Sequence, residues 1–159
     1  MKILNYLVII FICINLSVKA DSKKILIDEL QKGGKLIFIR HAYAPGGGDP
    51  DNFDINDCNT QRNLSDNGRI QSKKIGNFFE ENKISIGNVY SSEWCRCKET
   101  ASIAFKKYET KNFLNSFFSA KFAYNRKKQI IDFDKFLINW DKDQNLIFVT
   151  HYVVISEIL

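Results

Sequence analysis

The sequence lacks an apolar run of the length that a membrane-spanning helix needs, about 20 residues. Its longest apolar stretch runs from Ile3 to Val18, is interrupted by Asn5 and Asn15, and is flanked by Lys2 and by Val18-Lys19-Ala20. A basic start, a short apolar middle and a small–x–small end read as a secretory signal peptide over residues 1–20, with a retained N-terminal anchor as the alternative. Cys13 lies inside that run without the small residues that precede a lipoprotein cysteine. The chain also lacks a basic cluster: its formal charge of +5 falls to +3 once Lys2 and Lys19 are set aside. That is a solvated surface rather than a nucleic-acid footprint, and it suits an anionic substrate only weakly. Cysteine is sparse as well. Beyond residue 20 only Cys58, Cys95 and Cys97 remain, and Cys-x-Cys with one distant partner is not a zinc pattern. The odd count leaves one thiol over, and an exported protein can form disulfides.

Two further absences concern residues 42–62, which read as a long loop. Loops of this length inside compact domains are often functional. Asp49, Asp51, Asp54 and Asp57 invite a calcium reading, but Phe53 stands where an oxygen ligand is needed, with no closing Glu or central Gly. These acids read instead as turn formers and solvated loop carboxylates. Gly46-Gly47-Gly48 is not followed by Gly-Lys-Ser/Thr, so a nucleotide P-loop is excluded. No repeat, low-complexity tract or second domain is present, and the length fits one domain with a real core.

What is present is organised around two histidines, the only two in the chain. Lys35-Leu36-Ile37-Phe38-Ile39-Arg40-His41 is a short apolar run that ends in Arg-His. A near copy, Asn145-Leu146-Ile147-Phe148-Val149-Thr150-His151, lies over a hundred residues later. Such runs read as strands buried on both faces, as in a parallel α/β sheet. Ligands in open α/β sheets bind beyond the carboxyl ends of the strands, which is where both imidazoles stand.

Between the runs the pattern predicts helices and one further strand. Residues 21–31 read as an amphipathic helix stopped by Gly33-Gly34. Ser65 caps a helix to about Glu81, with Ile70, Ile75, Phe78 and Phe79 on one face. Ile86 to Tyr90 is a strand, followed by a turn and a helix through about Phe105. Residues 109–117 read as irregular, 118–140 as mostly helical, and Tyr152 to Leu159 as the start of a helix without a cap.

Arg40, His41, Arg96 and His151 thus all follow predicted strands. Two arginines can grip a phosphoryl group by forked, charge-assisted hydrogen bonds. A neutral imidazole can attack phosphorus and split one hard displacement into two.

The stretch Leu36–Ala42 with Arg-His-Ala, the segment Arg62-Asn-Leu-Ser-Asp-Asn-Gly68-Arg-Ile-Gln71, the Ser91-Ser-x-x-x-Arg96-x-x-x-Thr100-Ala101 turn and Val149-Thr-His151 resemble, in order, the blocks of the histidine phosphatase (phosphoglycerate-mutase-like) superfamily. The resemblance covers residues 35–159. It implies a three-layer α/β/α sandwich with a mostly parallel sheet and a phosphomonoesterase that works without metal or cofactor. It makes His41 the phospho-accepting nucleophile, with Arg40, Arg96 and His151 around the phosphate and Arg62 near it. The loop from Tyr43 and the segment Asp57-Cys-x-Thr-Gln-Arg-Asn-Leu look most like small exported bacterial members, including proteins similar to the lipopolysaccharide core heptose phosphatase. A periplasmic or secreted location and a small phosphorylated substrate, a sugar phosphate or a lipopolysaccharide core phosphate, follow as expectations, with no nucleic-acid partner and no membrane span after cleavage.

Two departures stand out. The mutase-type Asn after Arg-His is replaced by Pro45 and glycines, which argues against a sugar-phosphate mutase. No proton donor is evident, and Glu93 is a candidate only by its nearness to Arg96. Exported members continue past the second-His helix into further strand, so the chain is expected to be C-terminally truncated. The alternative function is an impaired member that binds phosphorylated ligands without turnover. A third is an exported metal-binding module using the two histidines. If Arg62 and Arg96 converge on one phosphate, Cys58 and Cys95 are drawn together. A Cys58–Cys95 disulfide with Cys97 free is then expected, against pairing with Cys97 or three unpaired thiols.

Overall fold

The computed structural model describes residues 21–159; the signal peptide read over residues 1–20 lies outside the described residues. Strand β1 (Leu36–Arg40) follows helix α1 (residues 21–31), and the elements then run α2 (Asp66–Glu81), β2 (Ile86–Ser91), α3 (Cys95–Phe105), β3 (Glu109–Thr110), α4 (Arg126–Leu137), β4 (Asn145–Thr150) and α5 (Tyr152–Ile158). The sheet order is β1-β4-β2-β3, and each pairing is parallel. The two histidine runs are therefore neighbours, although they are far apart in the chain.

Strand β4 is buried at every position, which is why its sequence shows a continuous apolar run instead of alternation. Ile147 and Val149 face one core, with Phe79, Val89, Trp94, Cys97 and Ala101. Leu146 and Phe148 face the other, with Tyr90, Phe113, Leu114 and Phe133. Helices α2 and α3 cover the first face and α4 the second, which gives three layers. Asn145 is fully buried at the start of β4, and its side-chain amide donates to Leu30 O at 2.6 Å and Ser85 O at 2.8 Å, joining β4 to α1 and to the residue before β2 at the end of the sheet opposite the histidines.

Helix α2 begins where the sequence predicts, at Ser65, whose hydroxyl accepts from Gly68 N at 3.2 Å. Gly68 lets this helix pack against the loop after β1, since a Cβ there would lie 2.1 Å from Tyr43 O. Two expectations are corrected. The segment expected to be helical over 118–140 is helical only at Arg126–Leu137, preceded by a 3-10 turn at Ala123–Asn125. Phe122 explains the difference: its ring packs 5.6 Å from both Phe53 and Trp94, which holds the preceding segment over the loop, out of line with α4. The segment expected to be irregular, 109–117, contains β3, two residues long and paired with Tyr90 and Ser91. Among the described residues no helix is long and apolar enough to cross a membrane.

Candidate active site

The register of β1 on β4 sets Arg40 opposite Thr150. The pairing carries one step further, because His41 N donates to Thr150 O at 2.9 Å. His41 and His151 therefore leave adjacent strands side by side. Their ring centroids are 5.5 Å apart and edge-on at 65°. Both are buried, at 7% and 4% exposure.

His41 Nδ1 lies 2.8 Å from Ala42 O. A carbonyl only accepts, so Nδ1 carries the hydrogen and Nε2 of the neutral ring keeps its lone pair. Burial pulls this imidazole down to about 4, and the Arg96, Arg62 and Arg40 charges act the same way against the Ala42 hydrogen bond. The ring is neutral at neutral pH and can act as a nucleophile. His151 is held well below its ordinary value, first by burial and then by Arg96 and His41. Its Nε2 meets Ser92 Oγ at 3.0 Å and Cys97 Sγ at 3.5 Å. Burial pushes the Cys97 thiol up to about 12, so it keeps its hydrogen. Ser92 Oγ spends its one hydrogen on Asn115 Oδ1 at 2.9 Å. With the Cys97 thiol donating to Nε2, the other ring nitrogen carries a hydrogen that an oxyanion could accept.

Arg96, in the first turn of α3, is 3% exposed and forms a two-pronged ion pair with Asp49: Nη1 to Oδ1 at 2.7 Å and Nη2 to Oδ2 at 3.1 Å. Asp49 also accepts from Arg62 N at 3.0 Å and from Trp94 Nε1 at 3.0 Å. Burial alone would raise the Asp49 carboxyl, but these bonds, led by Arg96, hold it below its usual range. The loop reaches back this far because Gly46 and Gly48 take φ of 90° and 79°, the left-handed region that glycine enters freely. Arg62 donates from Nε to Gly48 O at 3.0 Å and from Nη1 to Ala44 O, and its own carbonyl accepts from Arg96 Nη1 at 3.3 Å. A disulfide joins Cys58 to Cys95, with Cα atoms 5.7 Å apart, so the loop is tied covalently to the start of α3. Cys97 is a free, buried thiol.

Arg40, His41, Arg62, Arg96 and His151 all line one cavity of about 440 Å³. Phe53, Trp94, Phe118, Phe122 and Lys121 form much of the remaining wall, and Asp49 and Asp51 are its carboxylates. Arg40 is exposed at the mouth. Glu93 is not brought in. It lines an adjoining cleft of about 560 Å³, on the far side of Trp94 and Phe122 beside Lys128 and Asp132, and its Oε2 accepts from Asn115 Nδ2 at 2.6 Å. Among the described residues no group of three or more His, Cys, Asp or Glu side chains is arranged to hold a metal ion.

One reading of the loop acids is corrected. Asp54 and Asp57 do form turns, accepting from Asn56 N and Asn59 N at 2.9 Å each. Asp49 is instead turned inward as the partner of Arg96, and sequence reasoning missed it. The available signal was three glycines directly before an acid, a loop able to double back, but spacing alone does not say which acid turns in. The network of Ser92 and Asn115 behind His151 was missed for the same reason.

The sequence model of the histidine phosphatase superfamily, branch 1, matches residues 36–115. No curated protein matches the chain. Among solved structures, a mycobacterial glucosyl-3-phosphoglycerate phosphatase is 14% identical with a TM-score of 0.56, over 77% of this chain and 76% of its own. An open reading frame product of Mycobacterium tuberculosis is 15% identical with a TM-score of 0.56, over 77% and 76%. The protein histidine phosphatase SixA complexed with tungstate is 15% identical with a TM-score of 0.50, over 76% and 71%. At these identities the structural likeness speaks for the fold.

Proposed function

The chain belongs to the histidine phosphatase superfamily, branch 1, and from that premise we propose that it hydrolyses phosphomonoesters through a phosphohistidine on His41. The observation that carries the proposal is the convergence of a neutral, bare imidazole nitrogen and three guanidinium groups on one cavity. His41 Nε2 attacks phosphorus as the bond to the leaving oxygen breaks, and water then cleaves the P–N bond. Arg40, Arg62 and Arg96 neutralise the phosphoryl oxygens, and the free N–H of His151 donates to one of them. This chemistry depends mostly on such positioning and charge neutralisation.

The leaving oxygen needs a proton. Asp49 is committed to Arg96, whereas Asp51 lines the same cavity without such a bond, and we assign it that step. The cavity exceeds one phosphate, and its aromatic wall with Lys121 fits a small phosphorylated organic molecule. The lipopolysaccharide-core type of substrate rests on the loop resemblance. Export to the periplasm or beyond is supported by the Cys58–Cys95 disulfide, a bond that persists in oxidising compartments.

Incubation with an aryl phosphate, with and without chelator, tests the reading. Chelator-resistant turnover by the native protein and its loss in His41→Ala are expected. In Asp51→Asn an alkyl phosphate should slow far more than an aryl phosphate, whose leaving group needs no proton. Phosphate binding without turnover would select the impaired-member reading, and loss of activity with chelator the metal-dependent one.

A further inference from the structure

Arg96 carries five N–H donors in a planar fork. Nη1 uses both of its hydrogens, on Asp49 Oδ1 at 2.7 Å and Arg62 O at 3.3 Å. Nη2 uses one, on Asp49 Oδ2 at 3.1 Å. Nε is buried and has no partner. A guanidinium offers two parallel pairs of donors: the terminal edge between the two Nη atoms, and the side edge made by Nε–H and the outer hydrogen of Nη2. Asp49 fills the terminal edge. The side edge is intact, in a side chain that lines the cavity with His41 and His151. A buried N–H left unpaired is unfavourable, and a phosphoryl oxygen would satisfy it.

Asp49 is itself fixed. Arg62 N holds Oδ1 and Trp94 Nε1 holds Oδ2, each at 3.0 Å, and Trp94 stacks on Phe53 with centroids 4.9 Å apart. The carboxylate is therefore a rigid anchor.

We propose that Asp49 is a positioning residue that grips the terminal edge of Arg96 and so turns its side edge toward the phosphoryl group. The proposal rests on the reading of this cavity as a phosphatase site. It opposes a second account of the same bond, in which Asp49 only occupies Arg96 until substrate displaces it. The two accounts differ in sign. An anchor, once removed, leaves Arg96 misaligned and weakens phosphate binding, whereas a placeholder, once removed, strengthens it.

The experiment compares the native protein with Asp49→Asn, which keeps the shape but not the charge, and with Trp94→Phe, which removes one donor from Asp49 without touching Arg96. Aryl phosphate kinetics, calorimetric binding of inorganic phosphate and thermal unfolding are measured on each. In Asp49→Asn, KM and the phosphate Kd are expected to rise together by about tenfold, with a smaller change in kcat, as for a misaligned charge-assisted fork. In Trp94→Phe the same two constants should rise by roughly two- to threefold. A purely structural role would lower the unfolding temperature and leave the phosphate Kd of the folded protein unchanged. An unchanged or tighter phosphate Kd in a folded variant overturns the proposal, and Trp94→Phe decides it if Asp49→Asn does not fold. Native protein that binds phosphate without turnover removes the phosphatase reading while the Kd comparison still judges Asp49. Native protein that does neither overturns both.

Discussion

His41 can be followed directly, because the chain holds two histidines and so two imidazole resonances. Titration by NMR should place the His41 midpoint at about 4, with neither ring titrating near the ordinary 6.5. A midpoint near 6.5 for both would contradict the buried, argininium-lined setting. The same displacement bears on stability. Between 6.5 and 4 the unfolded chain binds a proton at His41 that the folded chain refuses. Stability from this group is therefore fully present above 6.5 and is lost on acidification toward 4. From pH 7 to pH 4.5 the share of the loss due to His41 should be roughly 2–3 kcal/mol in urea unfolding, and His41→Gln should remove that share while leaving the one due to His151.

At the scale of elements, the join between α2 and the loop after β1 is the tightest approach near the site. Tyr43 N donates to Gln71 Oε1 at 2.9 Å, and Ser65 N donates to Tyr43 O at 3.2 Å. Gly68→Ala would put a methyl group against that same carbonyl. It should destabilise the protein by about 1–3 kcal/mol in denaturant unfolding and raise KM as the loop shifts. A neutral result would mean that α2 is free to move away. Element boundaries set by local chemistry were legible in the sequence: the Ser65 cap, the two histidine strands, and α3 after the Ser91-Ser92 turn. What was not legible depends on distant partners. Residues 118–122 leave the helical path because Phe122 is drawn to Phe53 and Trp94. The strand β3 is too short for any periodicity to show. Asp49 looked like its neighbours Asp51, Asp54 and Asp57, and only the folded loop brings it to Arg96.

On the scale of the whole molecule, the Cys58–Cys95 bond closes a span of 37 residues. Constraining the unfolded chain over that span is worth roughly 4 kcal/mol in the chain-entropy account. Unfolding with and without reductant, or in Cys58→Ser/Cys95→Ser, should show a loss of that order, and a shift below about 1 kcal/mol would mean that the loop is already held by its hydrogen bonds.

Strand β4 sits between β1 and β2, yet both of these precede it in the chain. A growing polypeptide that has released residues 36–91 has two strands with a gap between them and no partner to fill it. One histidine waits at the gap for the other. Until residues 145–150 arrive, the nascent chain has neither its central sheet pairing nor the pocket at its end. Assembly is thus postponed to a late, long-range event, a topology associated with slow folding. A chain built this way locks late, and the two imidazoles meet only once the middle strand of the sheet is inserted.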